Sequence, residues 1–209
     1  MASQARQTSE PLGFVHGEGP LVGDPAPDAD LLGLDGKVAR LSDFWESQPV
    51  VLVFLRYFGC PFCQTQVAEL KRDESRFREA GACVVLVGHG HPGAAEAFSA
   101  KRRLPFPLLM DPWRDAYRSY GLREASLGDV VGPRALPKTL RQGLGKDTRQ
   151  GGLHGGSLTQ MPGTFLIDTG GVIRHDDGIV RLAHRNRDVA DAPNNAAILD
   201  VLRGLHASS

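Results

Sequence analysis

Cys60 and Cys63 stand two residues apart in the run Arg56-Tyr57-Phe58-Gly59-Cys60-Pro61-Phe62-Cys63. Two thiols at this spacing can close a short disulfide and so can cycle between dithiol and disulfide. The reactive species is the thiolate, so the chemistry needs a cysteine whose pKa is depressed. The same spacing also fits half of a metal site, or two inert core cysteines. A zinc or iron–sulfur site normally draws on a second pair of ligands. This chain has three cysteines in all. The third, Cys83, sits alone in an apolar run, where a small buried residue is the expected role. His89 and His91 lie in a glycine-rich loop without a third partner, which reads as loop surface rather than as a metal site.

The elements around the pair have to place it. Val50-Val51-Leu52-Val53-Phe54-Leu55 is apolar and largely β-branched, which predicts a buried strand. The stretch from Gln64 to about Ala80 is amphipathic at helical spacing, with Cys63, Val67, Leu70, Phe77 and Ala80 along one stripe. The order strand, loop, helix puts Cys60 at or beside a helix N-terminus. There the unpaired backbone N–H groups and the helix dipole favour an anion such as a thiolate. Pro61 suits the first helical position, where its missing N–H costs nothing. Arg56, at the end of the strand, is a candidate electrostatic helper for that thiolate.

The remainder reads as one framework. Residues 1–20 are polar and rich in small residues, which predicts a flexible tail and no secretory signal. Leu31 to Leu41, with the turn dipeptide Asp35-Gly36, predicts a hairpin. Ser42-Asp43-Phe44-Trp45 predicts a helical turn capped by Ser42. A strand over Ala82–Val87, a helix from Ala94 to about Arg102, an extended Phe106–Met110 and a short helix Trp113–Tyr120 follow. Residues 122–160 break this rhythm with glycines and basic residues, as an inserted lid or loop does; a short helix is expected near Leu136 to Leu144. Thr164–Asp168 and Val172–His175 predict a second hairpin, and a last helix is expected from about Pro193 with Asp191 as a cap. Strands alternating with helices argue for an α/β fold, a central mixed sheet covered on both faces. The expected organisation is a single domain over 21–209.

Lysine plus arginine equals aspartate plus glutamate, at 24 each. That balance gives no reason to expect nucleic acid or an anionic membrane surface as partner. No apolar run is long enough to span a bilayer. With three cysteines the chain is no disulfide scaffold, so a reducing, cytoplasmic setting is expected.

The element order, with CxxC after the first core strand, resembles the thioredoxin fold. Met161-Pro162-Gly163-Thr164-Phe165 looks like that fold's cis-proline segment, which faces the active cysteines. Val22-Gly23-Asp24-Pro25-Ala26-Pro27-Asp28, with Asp35-Gly36-Lys37 and Leu41-Ser42-Asp43-Phe44, is similar to the start of the alkyl hydroperoxide reductase / thiol-specific antioxidant (AhpC/TSA) group. The resemblance runs from about Leu21 to Leu205 and is weakest over 122–160. Phe54–Cys60 and His184-Arg185-Asn186 with Asp191 look closest to the peroxiredoxin-like branch that carries CxxC. Typical peroxiredoxins hold a threonine three residues before the peroxidatic cysteine, and Tyr57 stands there instead. Cys-Pro-Phe-Cys by itself looks like glutaredoxin.

The resemblance implies a thiol-dependent oxidoreductase that reduces peroxides or disulfides. Cys60 is the expected nucleophile and Cys63 the resolving thiol. Pro162, Thr164, Tyr57, Arg56, Pro61 and Arg185 are the expected supporting residues. No cofactor and no bound metal are expected. The expected partners are a peroxide or disulfide substrate and a thiol donor of thioredoxin or glutathione type, and a homodimer is compatible with the chain. The alternatives at this stage are a metal or iron–sulfur protein, a glutaredoxin-like disulfide reductase without peroxidase activity, and a retired fold acting as a binding scaffold.

Overall fold

The computed structural model describes residues 19–125, 157–169 and 178–207. Its centre is β3 (Val50–Phe54), whose five residues are all buried. A strand apolar at every position needs cover on both faces. β4 (Cys83–Gly88) and β5 (Leu108–Met110) pair parallel to it in turn. β6 (Gly163–Asp168) and β7 (Ile179–Arg185) extend the sheet antiparallel on the other side. β1 (Asp30–Leu32) and β2 (Val38–Arg40) form the expected hairpin, joined antiparallel to β5. The mixed sheet runs β2-β1-β5-β4-β3-β6-β7.

Alternation along β3 separates two cores. Val51, Val53 and Leu55 pack with residues of α2 (Pro61–Arg72), α3 (Glu74–Glu79), α4 (Pro92–Arg102) and α6 (Asn195–Ala207). Val50, Leu52 and Phe54 pack on the opposite face with α1 (Ser42–Trp45) and α5 (Asp115–Ser119). Phe54, Tyr117, Tyr120 and Phe165 form an aromatic group on that second face, with ring centroids 4.8–5.8 Å apart. Such tilted and edge-on pairs add to simple area burial.

Several local expectations change. The long helix is two, α2 and α3, broken at Asp73 (φ −97°, ψ 12°). Asp73 accepts the Asn195 Nδ2–H at 2.8 Å, so a tertiary bond to α6 sits at the break. Ser42 is inside α1, not its cap, and its N–H is taken by the Asp28 carboxylate. Asp191 does not cap α6 either. It binds the Arg187 N–H and guanidinium, and Asn194 caps the helix by accepting from Ala197 N–H. The partner of β6 is Ile179–Arg185; Val172–His175 is outside the described residues, as are the expected 122–160 helix near Leu136 and the tail to residue 18.

The largest correction concerns Pro162. There is no cis peptide bond among the described residues. The expectation required a tight bend before β6, but the chain there is extended. Glu124 bridges Gln160, Ala125 N–H donates to Thr159 O, and Met161 N–H donates to Arg123 O. A trans proline fits such a run, because the first ladder residue of β6 is Gly163 and no N–H is needed at Pro162. The same pairing closes the base of the 122–160 segment.

Candidate active site

The C-terminal end of β3 turns through Arg56–Gly59 into α2. Cys60 is the N-cap of α2 (φ −68°, ψ 119°) and Pro61 opens its first turn. Cys60 N–H donates to Tyr57 O at 3.1 Å, and Gln64 Nε2–H donates to Phe58 O at 2.9 Å, so the loop is folded back on the helix start. Phe58 packs against Phe98 and over Gly88. A Cβ at Gly88 would lie 2.6 Å from the Phe58 ring, so glycine there lets the loop approach β4.

All three cysteines are free thiols, and Cys60 and Cys63 are both buried. Cys60 is lowered from 9.0 to about 6. The main cause is a hydrogen bond from the Cys63 thiol. Burial opposes it, while the Cys63 and Phe62 backbone N–H groups and the Arg56 charge add to it. Cys63 moves the other way, well above the ordinary thiol range, because it keeps the proton it shares with Cys60 and is buried. The two shifts describe one arrangement: a Cys60 thiolate at a helix N-terminus, receiving the S–H of its neighbour.

The supporting residues fall into three groups. Arg56 is buried, with its guanidinium on Leu158 O and 5.2 Å from the Tyr57 ring. Its Nε is buried and has no hydrogen-bond partner among the described residues. Tyr57 is half-buried, and its phenol is raised by burial. Pro162 and Thr164 are buried at the β6 end that lies beside the end of β3, since Gly163 pairs with Phe54. Thr164 Oγ1 accepts from Gln66 Nε2, which ties β6 to α2 one turn past Cys63. Arg185 is directed elsewhere. Its guanidinium donates to Tyr120 O at 2.8 Å and Pro20 O at 2.6 Å, over the Phe165 ring.

His89 was expected on the loop surface and is instead buried. Its Nε2 lies 2.6 Å from Arg56 O, and its Nδ1 accepts from Ser157 N–H at 3.3 Å. A carbonyl only accepts, so Nε2 carries the hydrogen and the ring is neutral. Burial pulls its pKa down to about 4. His91 caps α4 by accepting Gly93 N–H. Cys83 is half-buried at the opposite end of β4, raised by burial to about 11. Sequence reasoning did not single out Gln66, Tyr117 or the buried role of His89. One signal was present for His89: it follows β4 directly, at the sheet end where the CxxC loop begins.

A mixed sheet with a CxxC at the N-terminus of the helix after its central strand defines a thioredoxin-fold thiol oxidoreductase. Comparison narrows the class. The AhpC/TSA family model matches residues 22–176, and the chain belongs to that family. It is 32% identical over 143 residues to a prostamide/prostaglandin F synthase of Salmo salar, covering 68% of this chain and 70% of that one. It is 33% identical over 110 residues to a chloroplastic peroxiredoxin Q of Populus jackii, covering 53% and 51%. Among solved structures, a peroxiredoxin-like protein from Aquifex aeolicus shares the fold with a TM-score of 0.63 at 17% identity, over 90% of each chain. Peroxidoxin BcpB from Mycobacterium tuberculosis does so at 0.56 and 21%, over 88% of this chain and 97% of that one.

Proposed function

We propose that this protein reduces peroxides through a two-cysteine cycle, with Cys60 as nucleophile and Cys63 as resolving thiol. The observation that supports this reading most is the position of Cys60 at the N-cap of α2, with the buried free thiol of Cys63 about one turn on, a setting that lowers the Cys60 thiol to about 6. The Cys60 thiolate attacks one peroxide oxygen. The O–O bond breaks, Cys60 becomes a sulfenic acid, and the alkoxide takes a proton from solvent and leaves as the alcohol, or as water when the substrate is hydrogen peroxide. Cys63 then loses its proton and attacks the Cys60 sulfur. The S–S bond forms and the hydroxyl leaves with that proton as water. A dithiol donor returns two electrons and two protons to reopen the pair.

In this reading Arg56 supports the first step: its charge favours the Cys60 thiolate, and its Nε, which has no partner among the described residues, donates to an oxygen of the bound peroxide. Cys60 exposes none of its surface, so the side chains over it part when substrate enters. Gln66 and Thr164 hold α2 against β6 beneath the pair.

The test follows hydrogen peroxide consumption by the reduced protein together with formation of the Cys60–Cys63 disulfide, by mass spectrometry. Cys60→Ser abolishes consumption. Cys63→Ser retains one turnover and accumulates the Cys60 sulfenic acid. A rate like that of an ordinary free thiol removes the peroxidase reading. A second reading, disulfide exchange, is favoured by Tyr57 at the place of the usual threonine, since its long rigid arm cannot put a hydroxyl where threonine does. Fast exchange with small disulfides and slow peroxide turnover would select it.

A further inference from the structure

Two buried side chains outside the CxxC loop meet the consecutive peptide units on either side of Arg56, whose N–H addresses the Cys63 sulfur. The peptide joining Leu55 and Arg56 accepts the Tyr117 hydroxyl on its C=O at 2.6 Å. Its N–H donates to Cys63 Sγ at 3.4 Å. The next peptide, joining Arg56 and Tyr57, accepts the His89 Nε2–H on its C=O at 2.6 Å. The Arg56 backbone, whose N–H meets Cys63 Sγ and favours its thiolate, is therefore held on both sides. A peptide whose carbonyl is already hydrogen-bonded becomes a stronger N–H donor, because the bonds polarise one another.

We infer that Tyr117 and His89 are positioning residues for Cys63: they fix the two peptide units that flank Arg56, whose N–H stabilises the Cys63 sulfur when it becomes the attacking thiolate. The inference rests on the reading of Cys63 as the resolving thiol. Both residues are well placed for the task. The Tyr117 ring is held by Phe54 at 4.9 Å and by His89 at 5.1 Å, and its hydroxyl also reaches Val87 O at 3.0 Å. His89 is fixed from behind by Ser157 N–H, which orients its Nε2–H toward Arg56 O. Neither side chain bonds a sulfur directly, so each acts through backbone.

The consequence falls on one step of two. Cys60 is stabilised by its own helix N-terminus, whereas Cys63 must shed a proton after Cys60 has reacted. Loosening this N–H donor therefore slows resolution more than the first attack.

An aromatic disulfide, 5,5′-dithiobis(2-nitrobenzoate), separates the steps by colour. The Cys60 thiolate attacks one of its sulfurs, the S–S bond breaks, and one aryl thiolate is released. Cys63 then loses a proton and attacks the Cys60 sulfur, releasing the second. The full chain carrying Cys83→Ser confines the signal to the pair. Tyr117→Phe keeps the ring and removes the hydroxyl. His89→Leu removes the donor, and His89→Gln restores an N–H at a similar reach. The expected result is a first phase within about twofold of the parent and a second phase slowed roughly 3- to 10-fold in Tyr117→Phe and His89→Leu, as for a hydrogen bond to the reacting sulfur that is weakened rather than lost. The pH midpoint of the second phase rises in both, and His89→Gln recovers most of the rate. Equal slowing of both phases, or an unchanged second phase in both Tyr117→Phe and His89→Leu, overturns the inference. Should Tyr117→Phe not fold, the His89→Leu and His89→Gln pair decides alone. Release of fewer than two aryl thiolates by the parent defeats the reading of Cys63 itself and the inference with it.

Discussion

Gln66, three residues beyond Cys63 on α2, donates its Nε2–H to Thr164 Oγ1 at 3.0 Å in the buried layer between α2 and β6. Both side chains are almost fully enclosed. A buried amide that loses its acceptor keeps its full desolvation penalty. Thr164→Val preserves shape and removes the acceptor, so it should lower stability by roughly 1–3 kcal/mol. Gln66→Leu combined with Thr164→Val removes both polar partners and should recover part of that loss. Urea unfolding of Thr164→Val, Gln66→Leu and the double variant measures it, and an additive double variant would show that the bond has no energetic weight.

The Cys60–Cys63 proton arrangement sets a pH profile. Cys60 is lowered from 9.0 to about 6, first by the Cys63 S–H and then by backbone N–H groups and Arg56. Alkylation of Cys60 by iodoacetamide should rise with pH as the thiolate forms and level off above about pH 7, with a midpoint near 6. Cys63→Ala removes the largest favourable contribution, so the midpoint should move up toward the ordinary thiol range. Because the folded pKa lies below the unfolded one, the reduced protein also gains stability as pH rises from 6 to 9. A midpoint that stays put in Cys63→Ala would mean that the helix N-terminus and Arg56 suffice.

Much of this fold is written in apolar pattern. The unbroken run Val50–Leu55 signals a strand covered on both faces, and β3 is that strand. Asp35-Gly36 marks the β1–β2 turn, and Gly36 has the positive φ (75°) that such a turn requires. The cysteine pair is equally legible, because strand, loop and proline together place Cys60 at a helix start. What sequence pattern does not carry is long-range polar bonding. The Asp73–Asn195 bond at the α2–α3 break spans 122 positions. The Gln66–Thr164 bond spans 98. The His89 to Arg56 contact depends on parallel pairing of β3 and β4, which local periodicity does not fix. Pro162 misled for a related reason: its trans form follows from pairing with residues 123–125, far away in sequence.

Gly88 offers a test of how closely the redox loop must approach the sheet. A methyl group there meets Phe58 ring atoms at 2.6 and 2.8 Å, and Phe58 is two residues before Cys60. Phe58 also packs on Phe98 at 5.2 Å and cannot yield freely. Gly88→Ala should therefore cost roughly 1–3 kcal/mol of stability through overpacking. It should also disturb alkylation of Cys60, which a destabilising change far from the loop would not. Thermal unfolding and the Cys60 alkylation rate, measured together, separate the local effect from a general one.

His89 predicts an acid sensitivity with a defined window. Its imidazole is neutral in the fold, pulled from 6.5 to about 4 by burial. Between these values the unfolded chain takes up a proton that the folded protein refuses, so folding stability falls as pH drops from 6.5 to about 4 and this contribution is flat outside that range. The slope inside the window is at most about 1.4 kcal/mol per pH unit from this one group. His89→Gln carries no titrating ring and should lack that component, while carboxylates such as Asp73 add their own acid loss at lower pH in both proteins. Urea midpoints at pH 7, 5.5 and 4.5 give the comparison. Parallel curves for the parent and His89→Gln would show that His89 titrates in the fold as it does in water, and that its ring is not enclosed between Arg56 O and Ser157 N–H in solution.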